Sequence, residues 1–75
     1  SALVLYPDPA TERLSIQGLP AGAFSLRIND VMGREAQRER ITAGVDVRQL
    51  VAGTYSVIVL DRDGGALARG RFVKE

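Results

Sequence analysis

The sequence predicts an all-β domain, a small seven-stranded antiparallel sandwich, and three observations predict it. The dominant apolar periodicity is two residues. Turn signals fall between the apolar runs at short, regular intervals. The one helix-compatible segment, Arg34 to Arg40, has Ala36 as its only clearly apolar side chain and cannot anchor a helix against a core.

Strands are expected over residues 2–6, 13–17, 23–29, 34–40, 44–47, 54–61 and 66–73. The first closes at Pro7-Asp8-Pro9. The second is the alternation Leu14-Ser15-Ile16-Gln17, as a strand with one buried face requires, and it ends at Gly18-Leu19-Pro20-Ala21-Gly22. Phe24-Ser25-Leu26-Arg27-Ile28-Asn29 repeats the pattern at greater length and turns at Val31-Met32-Gly33. Arg34 to Arg40 reads as a solvated edge strand, whose charges discourage pairing with other chains. After Thr42-Ala43-Gly44 comes a short strand that ends in Asp46-Val47-Arg48-Gln49-Leu50. There Asp46 could accept from the N–H groups of one helical turn while Gln49 reaches back and Leu50 points inward. Tyr55, Val57 and Val59 alternate in the sixth strand, but Ile58 and Leu60 make its second face apolar too, so this strand is expected to be central or covered on both sides. Asp63-Gly64-Gly65 leads into the last. The expected core is Leu14, Ile16, Phe24, Leu26, Ile28, Val45, Val47, Leu50, Tyr55, Val57 and Val59.

Seven such strands resemble an immunoglobulin-like sandwich, without the Cys pair and Trp of antibody domains. Tyr55, just after Gly53-Thr54 at the start of a long strand, fits a tyrosine corner, its phenol bonding a backbone carbonyl in the Asp46–Leu50 stretch. An internal echo joins Leu19-Pro20-Ala21-Gly22-Ala23-Phe24-Ser25-Leu26 to Leu50-Val51-Ala52-Gly53-Thr54-Tyr55-Ser56-Val57, with Asp30 and Gly33 matching Asp61 and Gly64. Two hairpins built alike account for it, since Gly supplies the positive φ of a tight reversal. A duplicated ancestor is the alternative.

Composition narrows the chemistry. The chain has 75 residues, no Cys and no His, and a net charge of +1. A domain of this size buries only ~60% of its unfolded surface, and no disulfide is available to reinforce it. The near-balanced charge argues against nucleic acid as a partner. No stretch approaches the ~20 apolar residues of a membrane span. Without His or Cys there is no common general base and no soft metal ligand, and the serines have no base beside them. Asp61-Arg62-Asp63-Gly64 has the start of a calcium loop but not the later ligands, and a hairpin turn explains it. No catalytic, cofactor-binding or metal residue is therefore nominated, no cofactor is expected, and the domain is not expected to be an enzyme.

Several segments taken together resemble a known family. Leu5-Tyr6-Pro7-Asp8-Pro9-Ala10 followed by Leu14-Ser15-Ile16 is similar to the opening of the type A C-terminal sorting domains of type IX secretion, with Asp8 where Asn is usual. Leu26-Arg27-Ile28-Asn29-Asp30-Val31-Met32-Gly33-Arg34-Glu35 resembles the family's hairpin, and Val45-Asp46-Val47-Arg48-Gln49-Leu50-Val51-Ala52-Gly53-Thr54-Tyr55-Ser56-Val57 its central signature. Arg71-Phe72-Val73-Lys74-Glu75 ends like its basic terminus. Ala36 departs from the family, which commonly has a larger apolar residue there.

The resemblance implies that residues 1–75 are a single C-terminal sorting domain cut from a larger secreted protein of a Bacteroidetes-type bacterium. It implies a cargo domain upstream and passage through the periplasm. An outer-membrane translocon and a sortase-like peptidase would be the partners, with the cargo often left on the cell surface. Gly70 to Glu75 are the expected recognition residues, presented by a free terminal strand that could also pair between copies as an edge-strand dimer. Tyr6, Pro7, Asp8, Pro9, Asp30, Gly33, Asp46, Leu50, Gly53 and Tyr55 are the expected structural motif. The rival reading is an accessory immunoglobulin-like module that spaces another domain or binds carbohydrate.

Overall fold

The computed structural model describes residues 3–75. Ser1, and the expected start of the first strand at Ala2, lie outside the described residues. Seven strands and no helix make up the rest: β1 (Val4–Tyr6), β2 (Arg13–Gln17), β3 (Ser25–Asn29), β4 (Glu35–Arg40), β5 (Gly44–Asp46), β6 (Gly53–Leu60) and β7 (Ala66–Lys74). Every expected strand is present, with no end displaced by more than two residues. They form two antiparallel sheets, β1-β2-β5 and β4-β3-β6-β7.

The period-two pattern becomes the core directly. In the small sheet Leu14 pairs with Val45, and Leu5 with Ile16. In the large sheet Leu26 faces Val59 and Ile28 faces Val57 across β3 and β6, and Tyr55 faces Phe72 across β6 and β7. These side chains, except Leu5, which is partly buried and packs against them, meet between the sheets with Leu3, Ala10, Val47, Leu50 and Ala68 in one buried cluster. Burying each large aliphatic or aromatic side chain is worth about 1.5–3 kcal/mol, which has to offset the entropy of ordering the chain.

Phe24 departs from the expected core. It sits one residue before β3 begins, where the alternation no longer has a facing sheet, and it is only half-buried. The guanidinium of Arg40 lies 4.1 Å from its ring centroid and that of Arg62 4.9 Å, so the ring is covered by cations rather than by the opposite sheet. Ile58 and Leu60 follow the expectation for a strand covered on both sides. Both are buried, yet neither belongs to the core cluster, because they face outward from the large sheet.

Two seams close the sandwich. On one side Gln37 of β4 donates its side-chain amide to the Asp46 carbonyl at the end of β5 (2.9 Å). On the other, the Leu3 N–H donates to the Arg69 carbonyl (3.3 Å), bringing the start of the chain against β7. Gly70 permits this approach. A Cβ there would stand 2.9 Å from Leu5 Cδ1 and 3.3 Å from Leu3 Cβ.

The internal echo is real in its turns. At the β3–β4 reversal Asp30 Oδ1 accepts from the N–H groups of Met32 (2.9 Å) and Arg34 (3.0 Å). At the β6–β7 reversal Asp61 Oδ1 accepts from Asp63 (2.9 Å) and Gly65 (2.8 Å). Gly33 and Gly64 occupy the left-handed region at φ 81° and 90°. Asp61 is thus engaged by its own turn. The upstream halves of the echo fold differently: Ala23 closes a turn on Pro20 before β3, whereas Gly53 already belongs to β6.

Candidate recognition site

β7 pairs with β6 along its whole length, from Leu60↔Ala66 to Gly53↔Lys74. Alternation sends Gly70, Phe72 and Lys74 toward the interior and leaves Arg69, Arg71 and Val73 on the outer face. Phe72 is 1% exposed and stacks on Tyr55, with ring centroids 5.6 Å apart. Lys74 is buried as well, and its Nζ donates to the Glu75 carbonyl (3.0 Å).

The backbone edge of this strand is not free, contrary to the expectation of a loose terminal strand. The Val73 N–H donates to Asp8 Oδ1 (2.9 Å). The Ala10 N–H donates to the Val73 carbonyl (2.8 Å), and the Glu75 N–H to the Ala10 carbonyl (2.9 Å), which makes a parallel bridge between Ala10 and Lys74. The physical reason lies in the Tyr6–Ala10 segment. Pro7 and Pro9 have no N–H to offer and bend the chain across the edge. Both of their peptide bonds are cis. Asp8 between them supplies an acceptor, and Ala10, fully buried, is small enough to lie under the last residues. The edge that could pair between copies is therefore occupied within the chain at Val73 and Glu75. Ala10 was not among the expected motif residues, and the only signal for it was its place at the end of the Tyr6–Ala10 motif.

The remaining motif residues set the crossover into β6. The Tyr55 hydroxyl donates to the Val51 carbonyl (2.6 Å), one residue beyond the expected Asp46–Leu50 stretch. The bond spans four residues, and just before Val51 the chain makes a turn, with the Leu50 N–H donating to the Val47 carbonyl (3.1 Å), rather than a helical cap. Leu50 points inward as expected and is 7% exposed. Asp46 does accept from a backbone N–H, that of Arg48 (3.0 Å), but Gln49 does not reach back to it. Gln49 donates instead to Gln37 Oε1 (2.8 Å) across the β4–β5 seam. The guanidinium of Arg48, 2.7 Å from Asp46 Oδ2, and the Arg48 N–H pull the Asp46 carboxyl down to about 2. Asp30 is lowered in the same way, first by the Arg34 N–H. Tyr6 stays exposed on β1, and Gly53 starts β6 opposite Lys74.

The two segments farthest apart in sequence thus form one unit, in which the Tyr6–Ala10 segment clamps the strand that ends in Phe72, Val73, Lys74 and Glu75. Gly70 to Glu75 come together there with Tyr6 to Pro9. Asp30 and Gly33 lie apart, at the β3–β4 reversal, where they build a turn.

The comparisons bear on this architecture. A solved structure of PorZ, described as an essential bacterial surface component of the type-IX secretion system of human oral-microbiomic Porphyromonas gingivalis, matches with a TM-score of 0.70 and 27% identity. The match covers 97% of this chain, which spans only 11% of that one. Comparison with curated proteins returns no match. The family model described as the secretion system C-terminal sorting domain matches residues 4–74, from the first residue of β1 to the last of β7. The chain belongs to that family, and it is a sorting signal of type IX secretion.

Proposed function

We propose that this domain is a non-catalytic address at the C-terminal end of a larger protein, read in the periplasm by the outer-membrane translocon and then removed by a sortase-like peptidase. Cargo of this pathway is exported to the cell surface or the extracellular space. The observation that carries the reading is the clamp. The opening motif and the terminal motif, joined by a hydrogen bond between residues 65 apart in sequence, make one folded surface from two of the segments that resemble the family. A receptor that probes this surface reads whether the whole domain has folded, because the clamp forms only when both ends are in place.

The aromatic residues favour this over the carbohydrate-binding alternative. Tyr55 is buried against Phe72, and Tyr6 stands alone on β1, whereas a sugar platform needs several exposed rings together. The test is a reporter enzyme with an N-terminal signal peptide, fused upstream of residues 1–75 in a host that has the pathway. Reporter activity on intact cells or in the medium is expected with the domain and not without it. A fusion retained in the periplasm as fully as the bare reporter would overturn the reading.

A further inference from the structure

The outer face of the large sheet carries a charge pattern that neither the core nor the clamp explains. Register places Arg38, Arg27, Ile58 and Arg69 in one row across β4, β3, β6 and β7. The next row holds Glu35, Asn29, Ser56 and Arg71, and the row on the other side adds Arg40 beside Ser25 and Leu60. Five arginines and one glutamate thus share a face of a domain whose net charge is +1. Glu35 is already engaged by Arg38, 2.7 Å away. Among the described residues no ion pair includes Arg27, Arg40, Arg69 or Arg71.

The same face has an apolar centre and unsatisfied polar atoms. Ile58 and Leu60 are buried outside the core cluster, under neighbours that include the cross-strand arginines. A shallow groove of about 350 Å³ runs over Ser56, Ile58, Arg69, Gly70 and Arg71. Arg27 Nε and Asn29 Oδ1 are buried beside it without a hydrogen-bond partner within the described domain. A face selected only for stability would pair such atoms.

We infer that this arginine face is a docking surface for an acidic protein surface of the export machinery, an inference that rests on the sorting function proposed above. Charge complementarity selects the occupant. Guanidiniums ringing an apolar strip match carboxylates placed around apolar side chains, and their planar forks bind carboxylates in bidentate fashion. The composition, arginine without lysine around an apolar centre, is that of protein interfaces. The face also lies next to the clamp, since Arg69, Arg71 and Val73 belong to the strand that Asp8 and Ala10 hold.

The experiment uses the reporter fusion with three single charge reversals. Arg69→Glu and Arg71→Glu change the proposed face, and Arg13→Glu makes the same change of charge on the small sheet. The intact fusion and a reporter without the domain are compared first; if both remain inside, the sorting reading has failed rather than the assignment of this face. With the intact fusion exported, Arg69→Glu and Arg71→Glu are each expected to lower surface reporter about tenfold, while Arg13→Glu stays within about twofold. Circular dichroism melts of the purified domains check folding, and if a reversal unfolds the domain, Arg69→Gln replaces it, with a smaller loss expected. Export of the Arg69 and Arg71 variants at the level of Arg13→Glu would overturn the inference. So would Arg69-dependent co-sedimentation of the purified domain with phosphatidylglycerol vesicles, which would make the occupant an anionic lipid surface.

Discussion

Tyr55 carries two jobs in one side chain: its ring packs on Phe72, and its hydroxyl holds the Val51 carbonyl at 2.6 Å. Tyr55→Phe removes only the second. The Val51 carbonyl then loses its partner, and the expected cost is ~0.5–1.5 kcal/mol, read as a lower urea midpoint at unchanged slope. An unchanged midpoint would show that the corner contributes nothing. Asp8 makes a comparable bond in a more exposed place, to the Val73 N–H. Asp8→Ala should cost about 1 kcal/mol and Asp8→Asn much less, because Asn keeps an oxygen at the accepting position. The corner was legible in the sequence from Tyr after Gly at a strand start, but not its acceptor, since the turn that presents Val51 depends on where Leu50 packs. The role of Asp8 was not legible, because nothing local to residue 8 points to residue 73.

At the scale of elements, the strands follow from alternation and the turns from Asp and Gly, which is why both were readable. Phe24 shows where alternation fails: the pattern continues past the end of the facing sheet, and Arg40 and Arg62 cover the ring in its place. The β3–β4 reversal and the β5–β6 connection share an electrostatic signature. Asp46 is depressed to about 2, and Asp30 and Glu35 are lowered by Arg34 and Arg38. Groups with depressed folded values contribute stability that is present above their unfolded values near 4 and is lost as pH falls through the folded values. The melting temperature should therefore hold from pH 7 to about 5 and decline between about 4 and 2. Asp46→Asn, which keeps an acceptor for the Arg48 N–H, should flatten part of that decline, and added salt should weaken it because all three carboxylates are at least partly exposed. β1 and β7 meet at Gly70, where Gly70→Val would push branched carbons against Leu3 and Leu5. Overpacking of this kind costs ~1–3 kcal/mol and should appear in a chemical denaturation curve.

At the scale of the whole molecule, the chain is stitched end to end, and this changes what a truncation means. Removing Val73, Lys74 and Glu75 deletes the donor to Asp8, both bonds to Ala10 and the last two pairs of the β6–β7 ladder. Three net hydrogen bonds at ~0.5–1.5 kcal/mol each amount to roughly 2–4 kcal/mol. Domains of this size seldom have more than ~3–5 kcal/mol in hand. The truncated domain is thus expected to lose most of its cooperative melt, and the Tyr6–Ala10 segment to exchange its amides rapidly. Glu75→Ala leaves every backbone bond in place and should melt as the intact domain does. If the truncation abolishes export while Glu75→Ala does not, the lost element is the folded clamp and not a linear tag of three side chains. A truncated domain that melts within one or two degrees of the intact one, yet is not exported, would reverse that conclusion and place the address in the terminal residues themselves.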